Sequence, residues 1–485
     1  MTDIGTRIYQ WYAGGQWRDA PGVFDDYEPY TGQVYAQAPH CGPEEARIAI
    51  RAADDAFPAW AETPPAEKAR LFLRAAAIVR RREEMATVLA RETGSTLPFA
   101  AAQQDMVATT LEQAANWVFL PKGEVLQSNL PGTHSIAVRR PVGVVASFTP
   151  WNGANILGWR AVLSPLAAGC TVVVKPSEYA PISAGLMIAE VAEEAGFPPG
   201  VINVVPHAPG GAAPIAEEFF ASPQVRAINL IGGVGTARIL AERAGRTLKR
   251  TVLELGGYNP MIVLDDVDID YAVRTATFGS FFHQGQICLN TRKIIVQRGI
   301  HDEFLAKFIA RTETLPTGDP LDPRTIIGPL VHQGAVDLME TRIAEAVSLG
   351  ATVRTGGTHE GLVFKPTILT GVPYEATISN EETFGPMVIV EPVDTAEDAV
   401  AVANRVRYGL TSSILAGDTY KAFELAPRLM HGVVNVNSPT VNDELHAPVG
   451  GVRESGWGRT GPHSIEDFTD VIWINSTSGE RRYPF

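Results

Sequence analysis

Three side chains in this sequence have the type and neighbours needed for chemistry at a carbonyl carbon. Cys288 lies in FFHQGQICLNTRK just after Gly285, where a missing side chain lets backbone approach a ligand closely. A thiolate placed there can attack and form a covalent intermediate. Glu254 lies at the end of the apolar run TVLEL, one residue before its last, and two glycines follow Leu255. A carboxylate at a strand end beside a tight turn can reach into a cleft and take a proton from water or a thiol, more readily if burial raises its pKa. In SFTPWNGAN, Asn152 can offer its side-chain amide to an oxyanion, with help from backbone N–H groups. Taken singly, each has a plainer reading: a small buried hydrophobe, a solvated loop acid, a turn former. Cys41 and Cys170 keep that plain reading. Three widely spaced cysteines suit neither a disulfide framework nor a metal-binding pair, so free thiols in a reducing compartment and no metal site are expected.

Positioning such residues needs elements that end at one place. From Pro43 to Arg91, Ile50, Phe57, Leu71, Ile78 and Leu89 recur at roughly helical intervals, which predicts helices. Gly123 to Arg140 breaks the pattern and reads as a hairpin or extended arm around Asn-Leu-Pro-Gly. Beyond it, short apolar runs (VGVVASF, TVVVKP, VINVVP, RAINLIGG) alternate with helical segments, the rhythm of parallel strands with crossover helices. A second α/β block runs from about Gly256 to Asn437 on MIVLDD, KIIVQR, MVIVEPV, SSILAG and GVVNVN. The tail IEDFTDVIWINSTS is a further alternating strand that needs a sheet edge.

The chain has 485 residues, too many for one compact core, so two or three domains are expected. Forty basic against 54 acidic residues leave a formal charge of −14, which repels nucleic acid and anionic membranes. The opening MTDIGTRIYQWYAGGQW lacks a basic segment followed by an apolar stretch, and no run approaches the roughly 20 apolar residues of a membrane span. A cytoplasmic location is the expectation.

Together the segments resemble the aldehyde dehydrogenase superfamily, in the family's order and through essentially the whole chain. The matches are TPWN at 149–152, VVKPSE at 173–178, ELGG at 254–257, GQIC at 285–288, EETFGP at 381–386 and PVGGVRESGWGR at 448–459. The resemblance implies Cys288 as nucleophile, Glu254 as general base, and Asn152 with the Cys288 N–H as oxyanion donors. It implies NAD, with NADP as the alternative. Lys175 and Glu178 would grip the adenosine ribose, Glu382 and Phe384 the nicotinamide ribose and ring. Thr149, Pro150, Trp151, Ser177, Gly210, Gly232, Gly233 and Leu255 would line the rest of the cleft. A carboxylate at Glu178 repels a 2′-phosphate, so NAD is expected to be preferred.

The sequence departs from the family pattern at Gly233 and Ala237, where a serine and a glycine are usual, and at His283 and Tyr258, where an asparagine and a lysine are. His283 is read as filling space. Phosphate binding by helix N–H groups should survive the first two changes. Gly153, smaller than the aromatic of many relatives, is expected to leave room beside Asn152. With Leu157, Phe282, Ile287 and Val449 it would form an apolar pocket for an aromatic aldehyde, and HQGQIC with the closing GRTGPHSIEDFTDVIWI resembles the bacterial benzaldehyde, salicylaldehyde and vanillin dehydrogenases. Arg160 leaves semialdehydes as an alternative, alongside aliphatic aldehydes. A CoA-acylating enzyme is disfavoured by Glu254, and a catalytically silent binding protein by the presence of all three catalytic residues.

The implied fold is α/β. A Rossmann-like NAD-binding domain spans 1–122 and 142–255, and an α/β catalytic domain 256–437. A small β oligomerisation arm spans 123–141 with the C-terminal strand 465–485, and 438–464 returns to the cofactor domain. A homodimer or homotetramer is expected.

Overall fold

Val172 and Val174 face one hydrophobic core while Val173 faces another. That period-two split is what a strand covered on both sides requires, and all six residues of Thr171–Pro176 are buried. The computed structural model describes residues 7–485. The first six residues, part of the segment examined for a leader, lie outside the described residues.

Thr171–Pro176 belongs to an eight-stranded sheet. Its parallel centre runs, in spatial order, Arg250–Leu255, Val225–Gly232, Val144–Thr149, Thr171–Pro176, Ile202–Val204. The chain moves outward from Val144–Thr149 in one direction, then returns to pair Val225–Gly232 with its other side. Sheets that reverse in this way leave a crevice at the carboxyl ends of the strands. Helices Ala154–Ala168, Met187–Ala195, Ala212–Ala221 and Val234–Arg246 make the crossovers.

A seven-stranded sheet follows, with Pro260–Val263, Lys293–Gln297, Met387–Val393, Thr411–Leu415 and Val433–Val436 parallel. Met261 and Val263 face one core and Ile262 the other, again a strand covered on both sides. Only the turn 256–259 separates Arg250–Leu255 of the first sheet from Pro260–Val263 of the second. The carboxyl edge of one sheet therefore opens toward the amino edge of the other, and the site lies between them.

In the arm segment, Gly123–Leu126 and Thr133–Pro141 pair as an antiparallel hairpin. The tail strand Thr469–Thr477 finds its edge on the same chain, pairing with the hairpin from Thr469↔Pro141 to Thr477↔Thr133. One edge of the tail is therefore used within the chain, and among the described residues the outer edges of the arm sheet stay open. The sequence reading also passed over the short strands before residue 41. Trp11–Ala13 and Gln16–Arg18 extend the large sheet, and Arg7–Ile8, Gly22–Tyr27 and Val34–His40 form a small one. No described helix is long and apolar enough to cross a membrane.

Candidate active site

Glu254 is the penultimate residue of Arg250–Leu255, registered beside Ile231 on one side and Gly456 on the other. The second pairing comes from the PVGGVRESGWGR segment, which returns to clamp this strand. Ser455 Oγ donates to the Gly256 carbonyl at 2.8 Å and accepts from the Gly409 N–H at 2.9 Å. The turn after Leu255 leaves little room for side chains. A Cβ on Gly256 would lie 2.1 Å from a Glu382 carboxylate oxygen, and one on Gly257 would lie 2.2 Å from Asn259 Oδ1.

Cys288 lies in the loop between helix Ile269–Phe281 and strand Lys293–Gln297. His283, Gln284 and Gly285 all have positive φ, at 51°, 53° and 68°, an unusual run that turns the chain sharply before the nucleophile. Asn259 Nδ2 donates to the Cys288 carbonyl at 2.6 Å and the Asn290 carbonyl at 2.9 Å. Asn290 Oδ1 accepts from the Ile287 N–H at 2.7 Å. The buried Arg292 guanidinium donates to the carbonyls of Gly285 at 2.7 Å and Gly385 at 3.1 Å, tying this loop to the EETFGP segment. The sequence reading missed Asn259, Asn290 and Arg292. Their only local signal is an amide or guanidinium near the motifs.

Asn152 is buried and donates from Nδ2 to the Gln286 carbonyl at 2.9 Å. An amide nitrogen carries two donors, so one N–H anchors the side chain to the nucleophile loop and the other is available to an oxyanion. Trp151 meets Phe384 edge-on with centroids 5.6 Å apart.

A cavity of about 300 Å³ collects these groups: Asn152, Glu254 and Cys288 line it together with Pro150, Trp151, Gly232, Gly233, Leu255, Glu382, Phe384, Leu157 and Val449. Burial dominates its electrostatics. It raises Glu254 to about 8, against the pull of Arg459, and Glu382 to about 7, against that of Arg292. Burial, followed by the charges of Glu382, Asp443 and Glu254, pushes the Cys288 thiol up to about 12. The thiol therefore needs a base to release its proton, and a carboxylate near 8 in the same cavity suits acid–base work at mildly alkaline pH. All three cysteines are free, and Cys41 and Cys170 are buried.

Other expected residues fall elsewhere. The Thr149 hydroxyl donates to the Ala184 carbonyl at 2.9 Å, so its one proton is committed within the protein. Lys175, Ser177, Glu178 and Gly210 do not line the cavity; they belong to the ends of Thr171–Pro176 and Ile202–Val204 and the loops beyond. The space expected beside Gly153 is taken: a Cβ there would meet Leu157 Cγ at 3.0 Å and Ile156 Cγ2 at 3.4 Å. Phe282 and Ile287 also lie off the cavity wall. Phe282 packs on Phe278 and Phe99, and Ile287 is held through its backbone. His283 packs on Phe99 at 4.5 Å between ring centroids, buried enough that its pKa falls to about 3, in keeping with a space-filling ring. Arg160 does reach the cavity, but Asp443 pairs with it at 2.5 Å, so its charge is already answered and a semialdehyde carboxylate would have to compete for it.

Gly285→Ala tests the turn. The new Cβ would lie 2.1 Å from the Gly385 carbonyl oxygen, at a φ that disfavours side chains. A loss of about 1–3 kcal/mol in denaturant unfolding is expected, and an unchanged midpoint would show that the loop relaxes freely.

The sequence model of the aldehyde dehydrogenase family matches residues 17–474. The chain is 40% identical over 463 residues to a vanillin dehydrogenase of Pseudomonas fluorescens, covering 95% of this chain and 96% of that one. The crystal structure of a salicylaldehyde dehydrogenase from Pseudomonas putida G7 complexed with salicylaldehyde superposes with a TM-score of 0.97, at 35% identity, over 99% of this chain and all of that one. An NAD-dependent aldehyde dehydrogenase from Sinorhizobium meliloti superposes with a TM-score of 0.95, at 30% identity, over 99% of this chain and 97% of that one. A thiol, a carboxylate and an amide on one cavity, in a fold shared end to end with these enzymes, lead to one conclusion: the chain belongs to the aldehyde dehydrogenase family.

Proposed function

We propose that this chain oxidises an aromatic aldehyde to the carboxylic acid, with NAD as oxidant, through a thioester on Cys288. The observation that carries the reading is the convergence of Cys288, Asn152 and Glu254 on one cavity at the facing edges of two sheets. The cavity suits a nicotinamide cofactor. Gly232 and Gly233 lead into the amino end of helix Val234–Arg246, where unpaired N–H groups favour a pyrophosphate, and nothing crowds Gly233 or Gly235. Trp151, Leu255, Glu382 and Phe384 would hold the nicotinamide end, and Lys175 and Glu178 the adenosine ribose. NAD, when bound, supplies the ring carbon that accepts the hydride.

The chain's own residues do the rest. Cys288 Sγ, its proton passed to a carboxylate of the cavity and on to solvent, attacks the aldehyde carbon, and the free N–H of Asn152 with the Cys288 amide meets the oxyanion. Loss of hydride from the resulting thiohemiacetal leaves a thioester. Glu254 takes a proton from water, and the hydroxide so formed displaces the cysteine and releases the acid. The eight-stranded sheet is then the cofactor unit and the seven-stranded sheet the catalytic unit. The open edges of the arm sheet would join subunits into a homodimer or homotetramer, in the cytoplasm.

Aromatic substrates are favoured by the apolar wall of Leu157 and Val449, and by the vanillin and salicylaldehyde specificities named for the relatives. Burying a ring rather than a methyl group adds about 1–3 kcal/mol of apolar contact, so kcat/KM for benzaldehyde should exceed that for acetaldehyde by about tenfold or more. The comparison should include succinic semialdehyde. If either aliphatic substrate is the better one, the aromatic assignment fails while the dehydrogenase assignment stands.

A further inference from the structure

We propose that His207 is a positioning residue for cofactor choice: its ring accepts a hydrogen bond from the Lys175 ammonium and aims the remaining N–H groups at a ribose diol, favouring NAD over NADP. The inference rests on the reading above that Lys175 faces the adenosine ribose. Lys175 Nζ lies 2.7 Å from His207 Nε2, and His207 Nδ1 lies 2.8 Å from the Ala208 carbonyl oxygen. A carbonyl only accepts, so the ring proton belongs on Nδ1 and the Nε2 lone pair faces the ammonium. Both side chains are buried, Lys175 at 7% exposure and His207 at 0%. Burial lowers Lys175 to about 8 and, with the charge of Lys175, lowers His207 to about 4, so a charged donor meets a neutral acceptor at neutral pH.

The ring is also held from behind. The Ala208 N–H donates to His40 Nδ1 at 3.0 Å, and the Cys41 N–H to the Pro206 carbonyl at 2.9 Å, pinning the loop that carries His207 against the segment 40–41. An ammonium has three donors. With one committed to His207, its direction is set, and it cannot turn fully toward a 2′-phosphate that Glu178 also repels. Loss of the ring leaves a buried ammonium short of an acceptor, a need that a phosphate meets better than a hydroxyl.

Isothermal titration of NAD and NADP into the full chain tests this, using the unmodified protein, His207→Ala and His207→Gln, with folding checked by circular dichroism. The alanine variant should bind NAD about tenfold more weakly and NADP no more weakly than the parent, so the Kd ratio of NADP to NAD falls about tenfold. The glutamine variant places an amide oxygen where Nε2 stood and should restore most of the ratio. An unchanged ratio in the alanine variant, or equal weakening of both nucleotides in both variants, would overturn the proposal. If the unmodified chain binds neither nucleotide, the functional reading itself falls, and this inference with it.

Discussion

Replacing Cys288 with alanine is expected to lower kcat for aldehyde oxidation roughly ten-thousand-fold or more while leaving NAD affinity and unfolding midpoint close to those of the parent. Every later step depends on the bond from Sγ to the substrate carbon, so no other group in the cavity can take over. Cys170 and Cys41 are buried and their thiols are raised by burial, Cys170 to about 11, which leaves neither as a substitute nucleophile. The loop itself should survive, because it is held by groups the substitution does not touch: Asn259 on the Cys288 carbonyl, Asn290 on the Ile287 N–H, and Arg292 on the Gly285 carbonyl. Steady-state NADH formation and NAD titration on the same sample check both halves of the expectation. Residual activity above a small fraction would mean that hydride transfer proceeds without a covalent intermediate.

Glu254→Gln should separate the two halves of the reaction. Glutamine keeps the shape of the side chain but cannot take a proton from water, so deacylation should slow about a hundredfold or more while the first hydride transfer is less affected. A stopped-flow trace should then show a burst of NADH near one equivalent per site, followed by a slow steady rate. Equal loss of burst and steady rate would place Glu254 in acylation instead. The same carboxyl sets a pH dependence. Burial raises it to about 8, so below that value it is protonated and unable to act as a base. The steady-state rate should rise with pH and level off above about 8, and this limb should vanish in the glutamine variant.

The ordered motifs and the short apolar runs were enough to read the α/β class and to single out three side chains that line one cavity. Such features are local: an apolar run such as TVVVKP and the glycine pair after Leu255 can be read from neighbours in the chain. What escaped depends on contacts between distant residues. The turn of the Thr149 hydroxyl toward Ala184 is invisible until Thr171–Pro176 and the segment after it are in place. Gly153 reads as open space, but one helical turn later Leu157 folds back and fills it. The charge of Arg160 looks free until Asp443 arrives from the returning segment. Asn259 and Arg292 act through backbone carbonyls, which place no demand on the types of the residues they hold. The strands before residue 41 are mostly too short to establish a period, and the two that join the large sheet take their place by pairing with Ile202–Val204 and with each other.

The most direct test of the central claim is the mass of the Cys288 peptide after Glu254→Gln protein is mixed with NAD and benzaldehyde and quenched in acid. Slow deacylation should leave the peptide heavier by one benzoyl group, sensitive to hydroxylamine as a thioester is, with about one equivalent of NADH formed. An unmodified Cys288 peptide alongside full NADH production, or a benzoyl group attached elsewhere, would contradict catalysis through a thioester on Cys288.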